Sequence, residues 1–304
     1  MRLENGAGWQ LWGSPEAEGF IEKLAAILEL KKLEPNGYPK LLFVRREPGD
    51  EDHALLPLNR CRPMEKDLPP DGWKAFDLPP QRLWFHGEVP HILCEIPGWA
   101  GEGADIEALA LALYPLFLRL RESGSMPLHA ALVEKNGLGA LLAGPSGAGK
   151  STCCRRILPP WREASDDSAL VVQTSPGQYA AHPLPTWSEY LFGSPGGRTW
   201  RVEGGVRLSA IFFIEQADAD GVLPAEPRDA ALRIVRRAGE AFRPLFSGLP
   251  GFGSEARRGF KIDLLDEALR LTKCVPTFRL RVSLGGRFWE EMEKAMGGPP
   301  AYPA

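Results

Sequence analysis

Apolar positions along this chain repeat with two different periods. Phe20, Ile21, Leu24, Ile27 and Leu28 recur at the three-to-four-residue spacing of a helix face. Ser14-Pro15-Glu16 opens that helix, with serine as cap and proline at the first helical position. Lys40–Val44 and Arg82–His86 are compact apolar runs that predict strands, the second turning through Gly87-Glu88 to pair with His91–Ile96. Residues 46–81, between those strands, are rich in proline and charge and predict a long loop. The segment from Pro97-Gly98-Trp99 to Gly103 predicts a boundary, which separates an N-terminal α+β subdomain (1–103) from a larger domain (104–304).

Past that boundary Asp105 caps a predicted helix running to about Arg121, with Ile106, Leu109, Leu113, Leu116 and Leu120 inward and Gly124 as its stop. Leu128–Val133 and Leu138–Ala143 read as strands joined at Lys135-Asn136-Gly137, a turn short enough to make them an antiparallel hairpin. Further strands are predicted at Ala169–Val172 and Leu208–Ile214, and helices at Arg228–Gly239 and Asp263–Lys273. Thr277–Ser283 alternates Phe278, Leu280 and Val282 with Arg279, Arg281 and Ser283, the pattern of a half-exposed strand. Arg287–Met296 predicts a last short helix before a mobile tail over 297–304. The whole reads as an α/β protein with a mixed sheet.

The composition narrows the class. With 304 residues, 44% hydrophobic and 25% charged, the chain has enough apolar side chains for a sizeable core. A net charge of −3 gives no general attraction to nucleic acid or to an anionic membrane surface. No apolar run reaches the length of a membrane span, and the N-terminus lacks the basic-then-apolar pattern of a signal peptide, so a cytoplasmic protein is expected. Cys61, Cys94, Cys153, Cys154 and Cys274 show no metal-ligand spacing, and at least one of Cys153 and Cys154 is expected in the core.

The chemistry concentrates at Gly144-Pro145-Ser146-Gly147-Ala148-Gly149-Lys150-Ser151, followed by Thr152. This is a full G-x-x-x-x-G-K-[ST] phosphate-binding loop. Its glycines let backbone N–H groups converge on phosphate oxygens, its lysine reaches the outer phosphates, and its serine hydroxyl can hold magnesium. An apolar strand feeds the loop. A helix over Gly149–Leu158, ended by Pro159-Pro160, carries it away.

Such a loop needs an acidic partner. Ser165-Asp166-Asp167 supplies two adjacent carboxylates, one to accept a proton from an attacking hydroxyl and one to ligate magnesium directly or through water. The same tripeptide is also common in plain turns and caps.

Residues 128–172 together resemble the catalytic core of HPr kinase/phosphorylase and its relatives, which share the fold of PEP carboxykinases. His129, Gly137-Leu138-Gly139, Gly144–Ser151 and Asp166-Asp167 stand in the family's order and spacing. The resemblance implies a P-loop kinase core of that type. ATP and Mg²⁺ would be held at Gly144–Thr152, with Lys150 on the phosphates, Asp166 as base, Ser151 and Asp167 on the metal, and His129 lining the site. The two aspartates are exchangeable in these roles. The family's later arginine-containing signature, tied to the reverse reaction, has no counterpart here. The chain looks closest to the HPr-kinase-like proteins of modified-peptide gene clusters, including those of lasso peptides, on the features His182–Ser188 and Leu208–Glu215. The activity implied is transfer of the γ-phosphate of ATP to a hydroxyl, serine foremost, of a peptide or protein such as a ribosomally made precursor peptide. Oligomers are common in this fold, so a homo-oligomer is expected by analogy. Two alternatives remain: a small-molecule kinase on the same fold, and a non-catalytic ATP-binding switch module.

Other features carry weaker readings. His182–Ser188 is a proline-rich turn that would border the site or pack Trp187 inward. Arg233, Arg236 and Arg237 share one helix face, with Arg228 and Arg243 extending it, a stripe that would grip phosphate or an acidic peptide or simply be solvated. Arg257-Arg258, Arg279 and Arg281 read the same way, and Glu215 reads as a group bordering the metal or a solvated strand end. Trp9, Trp12, Trp73, Trp84 and Trp99 read mainly as core, with a peptide-binding face of the N-terminal subdomain, for acceptor recognition, as the alternative.

Overall fold

The computed structural model describes residues 1–32, 37–47, 55–98, 102–188, 190, 197–244 and 254–297, with the backbone alone at 55–56, 102–105, 122 and 254–257. It is a mixed α/β protein with two mixed sheets. The chain divides into two compact units. The first comprises Met1–Arg119, Trp187–Glu203 and Pro244–Gly251; the second comprises Leu120–Thr186, Gly204–Arg243 and Phe252–Ala304.

The first unit is built on a five-stranded sheet in the order β1 (Gln10–Gly13), β2 (Lys40–Arg46), β5 (Ile92–Pro97), β4 (Gln81–Phe85), β3 (Lys74–Leu78). β1, β2 and β5 run parallel; β4 and β3 continue the sheet antiparallel. The central strands are apolar at consecutive positions because both faces are covered. Phe43 meets Phe20 of helix α1 (Glu18–Ile27) with ring centroids 5.3 Å apart. Leu42 and Val44, facing the other way, pack with Leu58 and Cys61 of α2 (Leu55–Cys61).

The expected loop at 46–81 therefore contains α2 and β3, while 48–54 lie outside the described residues. α2 is too short to show periodicity, and Pro57 sits in its first turn, where no backbone N–H is needed. The turn from β3 to β4 is formed by Pro79-Pro80, residues that read as loop. Ser14 stands before a short 3₁₀ turn, Pro15–Ala17, without accepting a capping hydrogen bond. Trp9, Trp73 and Trp84 are buried, Trp12 is half-buried, and Trp99 lies outside the described residues.

The single helix expected over 105–121 is two, α3 (Glu102–Leu111) and α4 (Tyr114–Leu120). Pro115 explains the break, since it cannot donate to the carbonyl one turn back and its ring crowds that turn. α3 starts before Asp105, whose side chain lies outside the described residues, and it packs on β5 and α1. The units accordingly part at Leu120 and not near 103. Gly124, at φ 73°, is the expected stop.

The second unit holds a nine-stranded sheet whose main path is β6 (Met126–Leu128), β10 (Ser168–Ser175), β11 (Gln178–Leu184), β12 (Val206–Gln216), β8 (Leu138–Ala143), β7 (Ala130–Lys135), β9 (Arg162–Ser165). β12 pairs with β8 along one edge and, along the other, with β11 at Val206–Arg207 and with parallel β14 (Thr277–Val282) from Ile211 onward. β13 (Gly221–Pro224) closes against β14. β7 and β8 form the expected hairpin, turning at Asn136 (φ 53°) and Gly137 (φ 78°).

On one face Ala131, Val133, Ala140, Leu142, Phe212, Ile214, Phe278 and Leu280 pack with Cys153 and Cys154 of α5 (Lys150–Arg156) and with Phe288 and Met292 of α8 (Phe288–Gly297). α6 (Pro227–Ala241) and α7 (Ser254–Cys274) complete the unit and pack on each other. α5 ends two residues short of the expected Leu158, α7 begins nine residues before the expected Asp263, and β1, β9, β11 and β13 are strands that the sequence pattern does not predict. The tail beyond Gly297 lies outside the described residues. Among the described residues no helix is long and apolar enough to cross a membrane.

Candidate functional site

The expected strand over Leu128–Val133 is broken at His129, and that break builds the site. β6 pairs antiparallel with β10, with Leu128 opposite Ala169. β7 pairs antiparallel with β9, with Leu132 opposite Ser165. The two registers are continuous. Residues 126–132 and 165–171 thus run as one long antiparallel pair that opens in the middle. His129 lies in the opening on one side, and Asp166 and Asp167 lie in it on the other. The backbone N–H of His129, freed from a neighbouring strand, donates instead to the carbonyl of Arg237 on α6 at 3.1 Å.

The glycine-rich loop Gly144–Ser151 leaves the end of β8 beside this opening. Gly147 and Gly149 take φ values of 80° and 101°, where side chains are strained, and a Cβ on Gly144 would lie 2.8 Å from that of Ala148. Pro145, Ser146 and Gly147 are exposed, as is Thr152; Ala148, Gly149 and Ser151 are half-buried. The amide of Gln216, at the end of β12, donates to the carbonyl of Gly147 at 3.2 Å.

Lys150 opens α5 and is only 6% exposed. Its Nζ lies 2.8 Å from Nε2 of His129 and donates to the carbonyl of Gly144 at 3.1 Å. The opposite ring nitrogen of His129, Nδ1, lies 3.5 Å from Oδ1 of Asp167. Burial lowers the proton affinity of both Lys150 and His129; Asp167 pulls each back up, and Arg237 pushes each further down.

Asp166 and Asp167 occupy the turn between β9 and β10, tied by the Ser165 hydroxyl donating to the carbonyl of Ser168 at 2.6 Å. Asp166 accepts a hydrogen bond from the buried hydroxyl of Thr186. Two polar groups, Lys150–His129–Asp167 and Thr186–Asp166, therefore stand beside the loop and meet at the adjacent aspartates. Among the described residues no three His, Cys, Asp or Glu side chains are placed to hold a metal. The hydroxyl and carboxylate oxygens of Ser151 and Asp167 still suit magnesium. That ion keeps most of its shell as water and phosphate oxygen and needs one or two protein ligands.

The segment His182–Ser188 does border the site, though not as a turn led by His182. His182, Pro183 and Leu184 finish β11, where His182 is fully buried opposite Leu170, and the residue that reaches the site is Thr186. The Pro176-Gly177 turn directly after the β10 run is the signal in the sequence for a returning strand at β11. The arginine stripe of α6 divides: Arg236 is exposed, Arg233 pairs with Asp229 at 2.7 Å and Glu215 at 3.3 Å, and Arg237 is buried. Glu215 is held by Arg279 at 2.8 Å, so its charge is committed to arginines. The side chain of Arg257 lies outside the described residues.

The profile of a family described as SynChlorMet cassette protein ScmC matches residues 92–297, more than half of the chain. The chain belongs to the ScmC family. The match begins at the first residue of β5 and ends at the last residue of α8. It therefore takes in the phosphate loop, His129, the aspartate pair, Thr186 and Arg237, and leaves β1–β4 outside. No curated protein matches the chain.

Proposed function

We propose that this ScmC-family chain is an ATP-dependent kinase with a P-loop core of the HPr kinase/PEP carboxykinase type, transferring the γ-phosphate to a hydroxyl, serine foremost, of a peptide or protein. The reading is carried by one observation: the lysine of a complete phosphate loop touches His129, which touches one of two carboxylates at the turn opposite. Phosphoryl transfer asks for positioning, charge neutralisation and a base near the nucleophile, and little else. Gly144–Thr152 would hold the phosphates, with Lys150 on the outer ones. Asp166, held by Thr186, would take the proton of the acceptor hydroxyl as its oxygen bonds to the γ-phosphorus and the bond to the bridging oxygen breaks, releasing ADP. Ser151 and Asp167 would hold magnesium, which when bound neutralises phosphate charge. The word cassette in the family's description agrees with an acceptor encoded nearby. A cytoplasmic setting, where ATP is available, goes with this reading.

The test is phosphorylation itself. The protein is incubated with ATP, magnesium and each small peptide or protein encoded beside its gene, and products are read by mass spectrometry. A gain of one phosphate with the native protein, lost in Lys150→Ala and in Asp166→Asn, is expected. Undiminished transfer by both variants, or no nucleotide binding by the native protein, overturns the proposal.

A further inference from the structure

Arg237 is the one charged side chain among the buried residues of α6, which are otherwise Ala230, Ala231, Ile234 and Ala238. A buried guanidinium normally sits among carboxylates that repay its desolvation. Here its partner is Glu240, one turn on, at 2.8 Å, a carboxylate that is 41% exposed. Nη1 is closed to solvent, and its geometry to Glu240 is too poor for a hydrogen bond. The carbonyl of Arg237 holds the N–H of His129 at 3.1 Å, which fixes this turn of the helix against the opening in the sheet. The charge of Arg237 also disfavours a proton on Lys150 and on His129.

Two buried cations, Lys150 and Arg237, cost desolvation that the part-exposed Glu240 and the carboxylates of Asp166 and Asp167 only partly offset. An anion between them reverses that balance, and arginine's planar fork suits phosphoryl oxygens better than any other side chain does. We propose that Arg237 binds the terminal phosphoryl group of ATP from the side opposite the loop, donating to its oxygens as charge builds on them while the acceptor oxygen bonds to phosphorus and ADP departs. The inference rests on the kinase reading. It adds a residue from α6, remote in sequence from the loop, that distinguishes triphosphate from diphosphate.

Calorimetric titration with ADP and with a non-hydrolysable ATP analogue, in magnesium, separates the possibilities. Arg237→Gln is expected to weaken the ATP analogue about tenfold or more, the effect of losing a charge-assisted hydrogen bond, while ADP affinity stays within about twofold. Unchanged affinity for both ligands overturns the inference. If Arg237→Gln weakens both, Arg237→Lys decides: loss confined to the ATP analogue supports the inference, and equal loss of both makes Arg237 structural and overturns it. A native protein that binds neither nucleotide removes the kinase reading and the inference with it, a result distinct from either variant outcome.

Discussion

The Nζ of Lys150 lies 2.8 Å from Nε2 of His129. An ammonium can only donate, so Nε2 accepts and the ring proton sits on Nδ1, facing Asp167. Protonating His129 would set two cations against each other in a buried place. Its proton affinity is accordingly lowered below the ordinary value of 6.5, by burial first. The unfolded chain therefore binds the proton more readily, and stability falls as pH drops below about 6.5. His129→Gln keeps an acceptor for Lys150 without a titrating ring. Urea unfolding at pH 7.5 and 5.5 should show a smaller acid loss in the variant than in the native protein. Equal losses, or a ring that titrates above 6.5 by NMR, would contradict the arrangement.

Lys150 itself should be a liability in the absence of ligand. Burial lowers its proton affinity from the ordinary 10.5, so the charged form is less favoured folded than unfolded throughout the neutral range. Lys150→Met, of similar length and no charge, is expected to leave stability unchanged or to raise it by up to about 1 kcal/mol, while abolishing nucleotide binding. Thermal unfolding read beside nucleotide titration checks both halves. A marked loss of stability would make Lys150 a structural residue.

How much of this was legible in the sequence differs between the loop and its surroundings. The strand–turn–helix course around Gly144–Ser151, the hairpin at Asn136-Gly137 and the core positions of α1 are local patterns, and they stand where their spacing predicts. The meeting of His129 with Asp167 depends on Leu128 lying opposite Ala169, a non-local pairing that no local period encodes. The same holds for Thr186: the His182–Ser188 segment is expected to border the site or pack inward, but the contact with Asp166 depends on where β11 ends. β11 itself was missed because Pro183 and the small Ala180-Ala181 weaken its strand signal, although both neighbours pair with it. α2 and β3 were hidden by prolines that the fold accommodates in a first turn and a tight turn. Arg237 was visible only as one of three arginines on a helix face; burial, not spacing, separates it from Arg233 and Arg236.

Thr186 is the expected control on Asp166. Its hydroxyl is the neutral donor that holds that carboxylate in place. Thr186→Val preserves shape and removes the donor. A hydrogen bond to a charged group contributes roughly 1.5 kcal/mol or more, so about a tenfold loss in kcat/KM is expected, with Thr186→Ser largely restoring it. Nucleotide affinity should be unaffected, because Thr186 touches the carboxylate and not the loop. A variant with full activity would mean that Asp166 needs no positioning, and it would move the base role toward Asp167.

The last expectation concerns how the chain is divided. Cutting at the boundary read from the sequence leaves 104–304, which keeps His129, Gly144–Ser151 and the aspartate pair. Yet residues 187–203 belong with the first unit. Trp200 is 1% exposed; its backbone N–H donates to the carbonyl of Ile27 at the end of α1 at 2.8 Å, and Thr199 donates to Glu29 at 2.7 Å. Removing residues 1–103 therefore deletes the partners of a segment that the remaining chain must still carry, and exposes the face of α3 that packs on β5. The shortened chain should unfold well below the native protein's Tm or fail to stay soluble. Trp200→Ala in the full chain keeps that backbone hydrogen bond and removes only the buried ring, and truncation of a fully buried tryptophan is expected to cost about 3–5 kcal/mol. Circular dichroism melts of both proteins check it. A shortened chain that melts cooperatively at the native Tm would show that 187–203 folds without α1.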